Sequence, residues 1–414
     1  MRILFYSSIF PRPSNPSLGI YCYHICRALN GIGHEVRVVS PRPWLDRPQR
    51  DSAPLPLARF DELRVEYPPY FYTPSLFRSA YHHFMWASSR RVVKQLLREF
   101  RPDAVLSYWA HPDGAVAVRI AQAAGVASGI IVGGSDVLIL PNQSAARRRA
   151  IVRALNACDA ALCVGRDLAE ATKALGVAAE KVHVVPQGVD TNVFNPGSQA
   201  DARRRLGVPE HGKLLTFVGN LLPVKGLDIL LDALALLQRR EVVCRLYLVG
   251  SGASRGALEA QVSKLGLTEA VTFVGAVAQS DLPDWYRAAD LTVLSSRSEG
   301  IPNALRESLA CGTPFVATNV GGVHEIADGN PHPLLTPGDP AALAEGIRQA
   351  LAKEKSQVGN RSVTWEQSAE HLINVLRVSR ASARCETPPI ADPPSSAAAT
   401  AAPAAAVKLV EGAC

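Results

Sequence analysis

The sequence contains no stretch of 18 or more apolar residues, which excludes a hydrophobic helix long enough to cross a bilayer. The first residues, MRILFYSSIFPRP, contain only a very short apolar run and predict a first β-strand, not an export signal. The eight cysteines include no CxxC pair, so we expect reduced, mostly buried thiols in a cytosolic protein. Cys22 and Cys26 share a predicted helix face near His24, but this set is incomplete as a zinc site.

The net charge is positive, since 44 lysines and arginines outnumber 37 acidic residues to give +7 and an isoelectric point near 9.0. Such a charge permits nucleic acid, an anionic membrane surface or an anionic substrate as a partner. Nucleic acid is not expected, because no nucleic-acid-binding motif accompanies the charge. With 414 residues, the chain is too long for one ordinary core and predicts two domains.

Apolar runs alternate with helical patterns through most of the chain, in the order typical of parallel sheets covered by helices on both faces. The pattern breaks at VDTNVFNPGSQ (189–199) and restarts at residue 213. We therefore predict an α/β protein of two doubly wound, Rossmann-like domains that face a central cleft. The predicted units are a first domain over 1–190, a second over 196–364, a helix over 365–380 and a disordered Pro/Ala-rich tail over 381–414.

Ligands bind at the carboxyl ends of the strands in such sheets, so the loops that follow strands in the second half are the first candidates for a site. In VGNLLPVKG, which holds Gly219, Asn220 and Lys225, the lysine either holds a phosphate or is a solvated residue at a helix start. In LVGSGASRG, Gly250 and Ser251 begin a near-miss of the GxGxxG dinucleotide pattern. This near-miss favours a plain tight turn beside the ligand.

A third loop, SEGIPNALRE, places Glu299 before a predicted helix and Glu307 one turn inside it. Gly300 permits unusual backbone angles, and Pro302 suits the first positions of a helix. The free N–H groups near Asn303 would face the cleft and could bind an anion. The two carboxylates would then accept hydrogen bonds from neutral hydroxyls of the same ligand, unless both are ordinary exposed glutamates.

Several motifs in a fixed order make the second half similar to the donor-binding domain of a known enzyme family. They are the two glutamates separated by seven residues in EGIPNALRESLACGTPFVAT, the GxLxxxKG loop and the LVGSG turn. VPQGVDTNVF at the domain boundary and GIYCYHICRALNGIGHEVRVV near the start also match. Over roughly residues 1–380, the chain resembles the retaining glycosyltransferases of family four, or group 1, of the exopolysaccharide and teichuronic acid type.

The resemblance implies the GT-B architecture, with the C-terminal helix crossing back to the first domain. It also implies a nucleotide-sugar donor, transfer with retained anomeric configuration, and no required metal or cofactor, in agreement with the absence of a DxD motif. Glu307 would bind the nucleotide ribose, Glu299 the hydroxyls of the donor sugar and Lys225 the diphosphate. The donor-binding residues implied are Gly19, Gly219, Asn220, Lys225, Gly250, Ser251, Gly275, Glu299, Gly300, Ile301, Pro302, Asn303 and Glu307.

Two positions depart from the family pattern. Asn220 replaces the arginine that usually lies five residues before the lysine, although this variant occurs in teichuronic acid and exopolysaccharide transferases. Gly133, in IIVGGSDV, replaces the histidine or arginine that usually helps to position the donor sugar. His111 on a neighbouring loop is either a substitute or a structural residue, and Asp136 or Asp113 could orient an acceptor hydroxyl. The catalytic candidates are Glu299, Lys225, His111 and Asp136.

The expected function is transfer of a sugar from a UDP- or GDP-linked donor to a glycan or lipid-linked acceptor, in the synthesis of cell-surface polysaccharide or glycolipid. The alternative is a non-catalytic paralogue with a binding or scaffolding role, which Gly133 and Asn220 favour. A basic helical stretch with aromatic residues, 78–101, either contacts an anionic lipid surface or is a solvated helix face over the core. We expect a cytoplasmic protein, and if this stretch and the arginines of 147–153 contact lipid, it attaches peripherally to the inner face of the plasma membrane.

Overall fold

The first half of the chain folds around a seven-stranded sheet. The computed structural model describes residues 1–12, 18–45, 63–327, 330–353 and 363–385, with side chains to residue 380. The strands of this sheet are β1 (Arg2–Tyr6), β2 (Glu35–Val39), β4 (Arg64–Glu66), β6 (Ala104–Tyr108), β7 (Ala127–Val132), β8 (Ala160–Cys163) and β9 (Val182–Val184). They lie in the order β4-β2-β1-β6-β7-β8-β9, and every pairing is parallel. A separate parallel pair joins β3 (Arg42–Pro43) to β5 (Pro69–Tyr70).

Helices cover both faces of this sheet, because successive side chains of a strand point to opposite sides. Ile3 and Phe5 pack in one apolar core, whereas Leu4 and Tyr6 pack in a second core on the other face. The uninterrupted hydrophobic runs in the sequence predict such strands, which are buried and apolar on both faces. The helices of this half are α1 (Ile20–Gly31), α2 (Tyr81–Glu99), α3 (Ala115–Ala124), α4 (Ser135–Leu138), α5 (Ala145–Ala157) and α6 (Arg166–Ala174).

The second half repeats the plan with a five-stranded parallel sheet. Its strands are β10 (Lys213–Val218), β11 (Cys244–Val249), β12 (Val271–Gly275), β13 (Leu291–Leu294) and β14 (Phe315–Ala317). Their order is β12-β11-β10-β13-β14. The helices are α7 (Gln199–Leu206), α8 (Leu227–Arg239), α9 (Arg255–Leu265), α10 (Leu282–Ala288), α11 (Asn303–Ala310), α12 (Val323–Ile326) and α13 (Pro340–Ala352).

The last described helix, α14 (Trp365–Cys385), crosses back from the second half to the first. Leu372 and Leu376 are buried in the same core as Ile3 and Phe5. The Trp365 ring stacks on the His24 imidazole of α1, with ring centroids 5.4 Å apart and planes 13° apart. The predicted α/β fold of two Rossmann-like domains with a returning C-terminal helix is confirmed. The predicted disordered tail falls almost wholly on residues 386–414, which lie outside the described residues.

The aromatic residues of α2 face the protein core, as the second of the two alternatives for 78–101 predicts. Met85 is fully buried, and Phe84 and Trp86 pack against the core under the sheet. The Arg119 guanidinium lies 4.5 Å above the Trp86 ring. The basic side chains of the helix are exposed, so α2 presents a basic face on the outside of an apolar core. No helix within the described ranges is long and apolar enough to span a membrane.

Candidate functional site

Lys225 and Glu299 lie side by side at the carboxyl edge of the second sheet. Lys225 ends a 3-10 turn after β10, and Glu299 lies between β13 and α11. Lys225 Nζ donates to Glu299 Oε1 at 2.6 Å, and Ser296 Oγ donates to the same oxygen at 2.5 Å. The Glu299 side chain is 8% exposed and that of Lys225 is 22% exposed, while Asn220 on the same loop is exposed. The edge therefore presents one accessible cation backed by a nearly buried carboxylate.

Close backbone approaches join the loops after β10, β11 and β12 into one surface. Gly250 has a φ of 140°, and a Cβ there would lie 1.9 Å from Gly219 O, so only glycine fits. The N–H of Gly250 donates to Gly275 O at 2.8 Å, and the N–H of Leu221 donates to Ser251 O at 2.9 Å. The structure thus brings together the glycines and the serine that the motifs indicated. It also explains the near-miss of the dinucleotide pattern, because the glycines here serve contacts between loops.

The N-terminus of α11 opens toward the first domain. Pro302 has an extended backbone immediately before the helix, and no side chain caps the first N–H groups. Asn303, the first helical residue, lines a cavity between the two domains. The preceding loop is held by Gly321, because a Cβ on Gly321 would lie 2.0 Å from Glu299 O. Uncapped N–H groups and the helix dipole make this end suitable for binding an anion.

Glu307 lines the same cavity as Asn303 and lies one turn further along α11. Tyr286 Oη donates to Glu307 Oε2 at 2.7 Å. Burial raises the pKa of Glu307 to about 7, against the hydrogen bond from Tyr286, which lowers it. Beside it, His24 Nε2 and Gln279 Oε1 lie 3.1 Å apart and connect the two domains. The ionised carboxylate in this cavity can accept hydrogen bonds from a diol.

Glycines in the first domain bring its loops against this surface. Gly19 has a φ of 59°, and a Cβ there would lie 2.5 Å from Ile9 O. A Cβ on Gly300 would lie 3.3 Å from Gly133 O, so the two cleft loops touch through their backbones. A Cβ on Gly133 would lie 2.5 Å from Tyr108 Oη. The Tyr108 phenol therefore occupies the space that the usual family histidine would need.

His111 packs inside the first domain. Its Nε2 lies 3.0 Å from His82 Nδ1 on α2, and its side chain is almost fully buried. Burial, followed by the charges of His82 and Arg147, lowers the pKa of His111 to about 3, so the imidazole is neutral. No described hydrogen bond or ring contact joins His111 to Glu299 or Lys225. These contacts favour the structural alternative over a direct role beside the donor.

The two aspartates differ in how their oxygens are used. Asp136 Oδ2 accepts from the N–H of Ala110 at 3.2 Å, and Oδ1 accepts from the N–H of Gly134 at 2.9 Å. Asp113 Oδ1 accepts from the N–H of Ser8, while Oδ2 is buried without a partner among the described residues. Burial raises the pKa of each aspartate to about 6. Asp136 thus ties two cleft loops together and positions the Gly133 backbone.

Sequence reasoning missed a contact from α12 across the cleft. The Glu325 carboxylate accepts from the N–H groups of Arg166 and Asp167 at 2.7 and 3.0 Å, and so caps α6 of the other domain. A Cβ on Gly165 would lie 2.5 Å from Ile301 Cδ1, and Ile301 packs against the cores of both domains. The sequence position of Glu325 could have indicated this contact, because GGVHE follows β14 and therefore lies at the same sheet edge as the other loops.

Comparisons with known proteins agree with this geometry. The family profile described as Glycosyltransferase Family 4 matches residues 18–193, and that described as Glycosyl transferases group 1 matches residues 212–353. A Bacillus subtilis (strain 168) protein assigned as a teichuronic acid biosynthesis glycosyltransferase is 30% identical over 360 residues, which cover 84% of this chain and 88% of that protein. A D-inositol 3-phosphate glycosyltransferase of Streptosporangium roseum is 41% identical over 175 residues, 40% of each chain.

Solved structures share the fold at low sequence identity. HepE of Anabaena in complex with UDP superposes with a TM-score of 0.65 at 22% identity and covers 93% of this chain and 99% of its own. WaaG, a glycosyltransferase involved in lipopolysaccharide biosynthesis, gives a TM-score of 0.61 at 22% identity, with 94% and 100% covered. With its two Rossmann-like sheets and its paired glutamates at the shared cleft, the chain belongs to glycosyltransferase family 4, the group 1 glycosyl transferases.

Proposed function

We propose that this glycosyltransferase moves a sugar from a UDP- or GDP-linked donor to a glycan or lipid-linked acceptor with retention of anomeric configuration. The observation that carries the proposal is the arrangement of Lys225, the uncapped N-terminus of α11 and Glu307 along one wall of the cleft. Each element matches one part of a nucleotide sugar. The cation and the N–H groups suit the diphosphate, whereas the carboxylate in the cavity suits the ribose diol.

The donor sugar would lie between the two domains, beside Glu299 and Gly133. Glu299 accepts hydrogen bonds from Lys225 and Ser296, and a sugar hydroxyl would add to or replace these donors. Because the Gly133 and Gly300 backbones approach closely, the proposed sugar pocket would have a narrow floor made of peptide groups. Asp136 holds that floor in place through its bonds to Ala110 and Gly134.

The transfer step moves charge onto the diphosphate. The bond between the anomeric carbon and the diphosphate oxygen breaks, the acceptor hydroxyl oxygen forms the new bond on the same face, and its proton passes to the leaving phosphate. Lys225 and the N–H groups at the start of α11 would stabilise the developing negative charge, which is electrostatic preorganisation. Since these protein groups supply positive charge at the leaving group, we propose that the reaction needs no metal ion.

The relatives indicate the chemical class of the substrates. HepE binds UDP in its crystal structure, and the Bacillus subtilis relative is assigned to teichuronic acid biosynthesis. By analogy, we propose a UDP- or GDP-sugar as donor and a role in cell-surface polysaccharide or glycolipid synthesis. A cytoplasmic protein attached to the inner face of the plasma membrane would meet both the donor and a lipid-linked acceptor.

Glu307→Gln tests the donor site directly. The variant keeps the shape of the side chain but loses its charge, so the dissociation constant for the preferred nucleoside diphosphate should rise about tenfold or more. Calorimetry on UDP and GDP, after a thermal-shift screen of sugar nucleotides, gives the numbers. Glu259→Gln on α9 is the matched control, because Glu259 is an exposed glutamate paired with Arg255 in its own helix. Unchanged affinity in Glu307→Gln would remove the ribose assignment.

The alternative is a non-catalytic paralogue with a binding or scaffolding role. Gly133 and Asn220 favour it, because neither carries the longer histidine or arginine side chain that usually contacts the donor at its position. The retained Lys225–Glu299 pair favours catalysis, because a scaffolding subunit that binds no donor would not need these two residues of the proposed donor site. Donor hydrolysis without acceptor separates the two. Release of nucleoside diphosphate supports the enzyme, and tight donor binding without any release supports the alternative.

A further inference from the structure

Three loops of the first domain display large apolar side chains to solvent. Among the described residues, every exposed phenylalanine or tryptophan lies on these loops, namely Trp44, Phe71 and Phe77. Phe77 and Leu76 are 68% and 61% exposed, whereas the described phenylalanine and tryptophan side chains outside these loops are buried or partly buried. The apolar set, which we call the apolar rim, comprises Trp44, Leu45, Phe71, Leu76, Phe77, Leu138 and Ile139.

Direct contacts make much of the apolar rim one continuous surface. The Trp44 ring stacks near Phe71 with centroids 6.4 Å apart, and its Nε1 donates to Tyr72 O at 3.0 Å. The Tyr72 ring lies 5.1 Å from that of Tyr81, whose hydroxyl donates to Thr73 O at 2.9 Å. Thr73 lies in the turn that carries Leu76, since the N–H of Leu76 donates to Thr73 O at 3.3 Å.

The backbone that presents the apolar rim is strained. Ser75 and Phe77 have φ values of 65° and 53°, a region that residues other than glycine, asparagine and aspartate rarely enter. A phenylalanine held in this conformation with its ring in water has two unfavourable features at once. Such features persist where they serve a function, so the turn itself points to a binding surface.

Basic residues are concentrated in two segments of the chain that carry part of the apolar rim. Segments 67–98 and 137–158 carry nine lysines and arginines and no aspartate or glutamate. Their charge of +9 exceeds the net charge of the whole chain, which is +7. Arg78 follows Phe77 directly, and burial together with the nearby Arg78 guanidinium lowers the pKa of Arg147 on α5. Arg147 in turn donates to Gln143, in the turn that follows Leu138 and Ile139.

We infer that the apolar rim and its flanking arginines form a docking surface for an anionic lipid bilayer. The occupant is assigned from charge complementarity and from side-chain type. Aromatic and leucine side chains insert at the level of the lipid headgroups, and arginines bind the phosphates around them. Two segments that carry nine cations and no acid suit an anionic lipid surface better than a protein partner of ordinary, mixed surface charge.

The surface adjoins the acceptor side of the cleft. Ser79, directly after Arg78, contacts His82 and His111, and the loop of His111 follows β6 at the sheet edge that faces the cleft. In its link to a lipid-linked acceptor this inference rests on the proposed function, because docking here would set the cleft beside the headgroup layer. The membrane contact itself depends only on the rim.

Vesicle co-sedimentation tests the inference. We expect the protein to bind phosphatidylglycerol–phosphatidylcholine vesicles and to ignore pure phosphatidylcholine, with binding weakened at high salt. Leu76→Ser/Phe77→Asn removes two apolar side chains, and asparagine tolerates a positive φ, so the fold is retained. The partition coefficient of this variant should fall by about tenfold. Arg78→Glu should also weaken binding, whereas Val243→Ser, at an 85% exposed site of the second domain, should not.

Two results would overturn the inference. One is equal binding to charged and neutral vesicles, and the other is unchanged partition of Leu76→Ser/Phe77→Asn. Light scattering tests whether a second copy of the chain occupies the rim instead of lipid. Self-association of the wild type that is lost in the Leu76→Ser/Phe77→Asn variant would assign the rim to that second copy. Nucleoside diphosphate binding is measured on the same preparations. If the wild-type protein binds no nucleoside diphosphate, the proposed function is wrong. The vesicle result is judged separately from this measurement.

Discussion

Lys225 Nζ and Glu299 Oε1 lie 2.6 Å apart, although the two residues come from different strand ends 74 positions apart in the chain. In the proposed donor site, the cation would meet the diphosphate and the acid would meet the sugar. We therefore expect Lys225→Ala to lower kcat/KM for the donor by about 10²–10³, the usual loss when one preorganised donor to a developing anion is removed. Initial rates of nucleoside diphosphate release measure this effect.

Lys264→Ala is the control for that change, because Lys264 is an exposed lysine on α9 of the same domain. A fall of less than about threefold in Lys225→Ala would show that the lysine does not stabilise the leaving group.

The raised pKa of Glu307 predicts a stability that depends on pH. Its folded-state pKa of about 7 exceeds the ordinary glutamate value, so the folded protein binds a proton that the unfolded chain releases. Ionising the buried carboxyl thus costs stability as pH rises from about 4.5 to 7, and the cost stays constant above that range. Glu307→Gln avoids this cost, so it should unfold at a higher temperature than the wild type at pH 8. The difference should shrink toward pH 4.5. A wild type more stable than Glu307→Gln at pH 8 would contradict the burial of an ionisable carboxyl.

Restoring the usual family histidine should fail for a steric reason. In Gly133→His, the new Cβ would meet Tyr108 Oη at 2.5 Å, and overpacking of this kind costs about 1–3 kcal/mol. Tyr108→Ala alone leaves a cavity, because the ring is buried against Tyr21. The double variant Gly133→His/Tyr108→Ala should lose less unfolding free energy than the sum of the losses in the two single variants. Thermal denaturation of the four proteins gives the coupling, and additive effects would show that Tyr108 does not fill the histidine site.

Glu325 should control how the two domains close. Glu325→Ala leaves the N–H groups of Arg166 and Asp167 without their partner from α12, and a lost helix cap costs about 0.5–2 kcal/mol. The arrangement in which α12 contacts α6 should then be less populated, so the radius of gyration from X-ray scattering should rise and the donor KM should increase. Glu259→Ala serves as the control. A radius and a KM equal to those of the wild type would mean that the contact does not bias closure.

Much of the fold follows from local sequence patterns. Asp339 and Pro340 predict the start of α13, and the structure has the helix over Pro340–Ala352 with Asp339 accepting the N–H groups of Ala341 and Ala342. Helix α7 was not predicted, because its sequence QADARRRL has almost no apolar face. Its ends were visible nonetheless, since Ser198 caps it and Gly207 closes it with a φ of 64°.

The site was predictable in its loops but not in its long-range partners. The motifs indicated Glu299, Lys225 and Glu307, and the structure brings the loops that carry them to one cleft wall. Tyr286 beneath Glu307 and Tyr108 beneath Gly133 are set by packing between distant segments, which no local periodicity encodes. The roles of these residues in binding and catalysis stay predictions.

The most direct test is a crystal structure with the nucleoside diphosphate that binds most tightly. We expect the ribose hydroxyls to lie at hydrogen-bond distance, about 2.6–3.2 Å, from the Glu307 carboxylate. The diphosphate should lie against Lys225 and the first N–H groups of α11. A nucleotide bound outside this wall of the cleft, with Glu307 and Lys225 untouched, would contradict the proposed donor site.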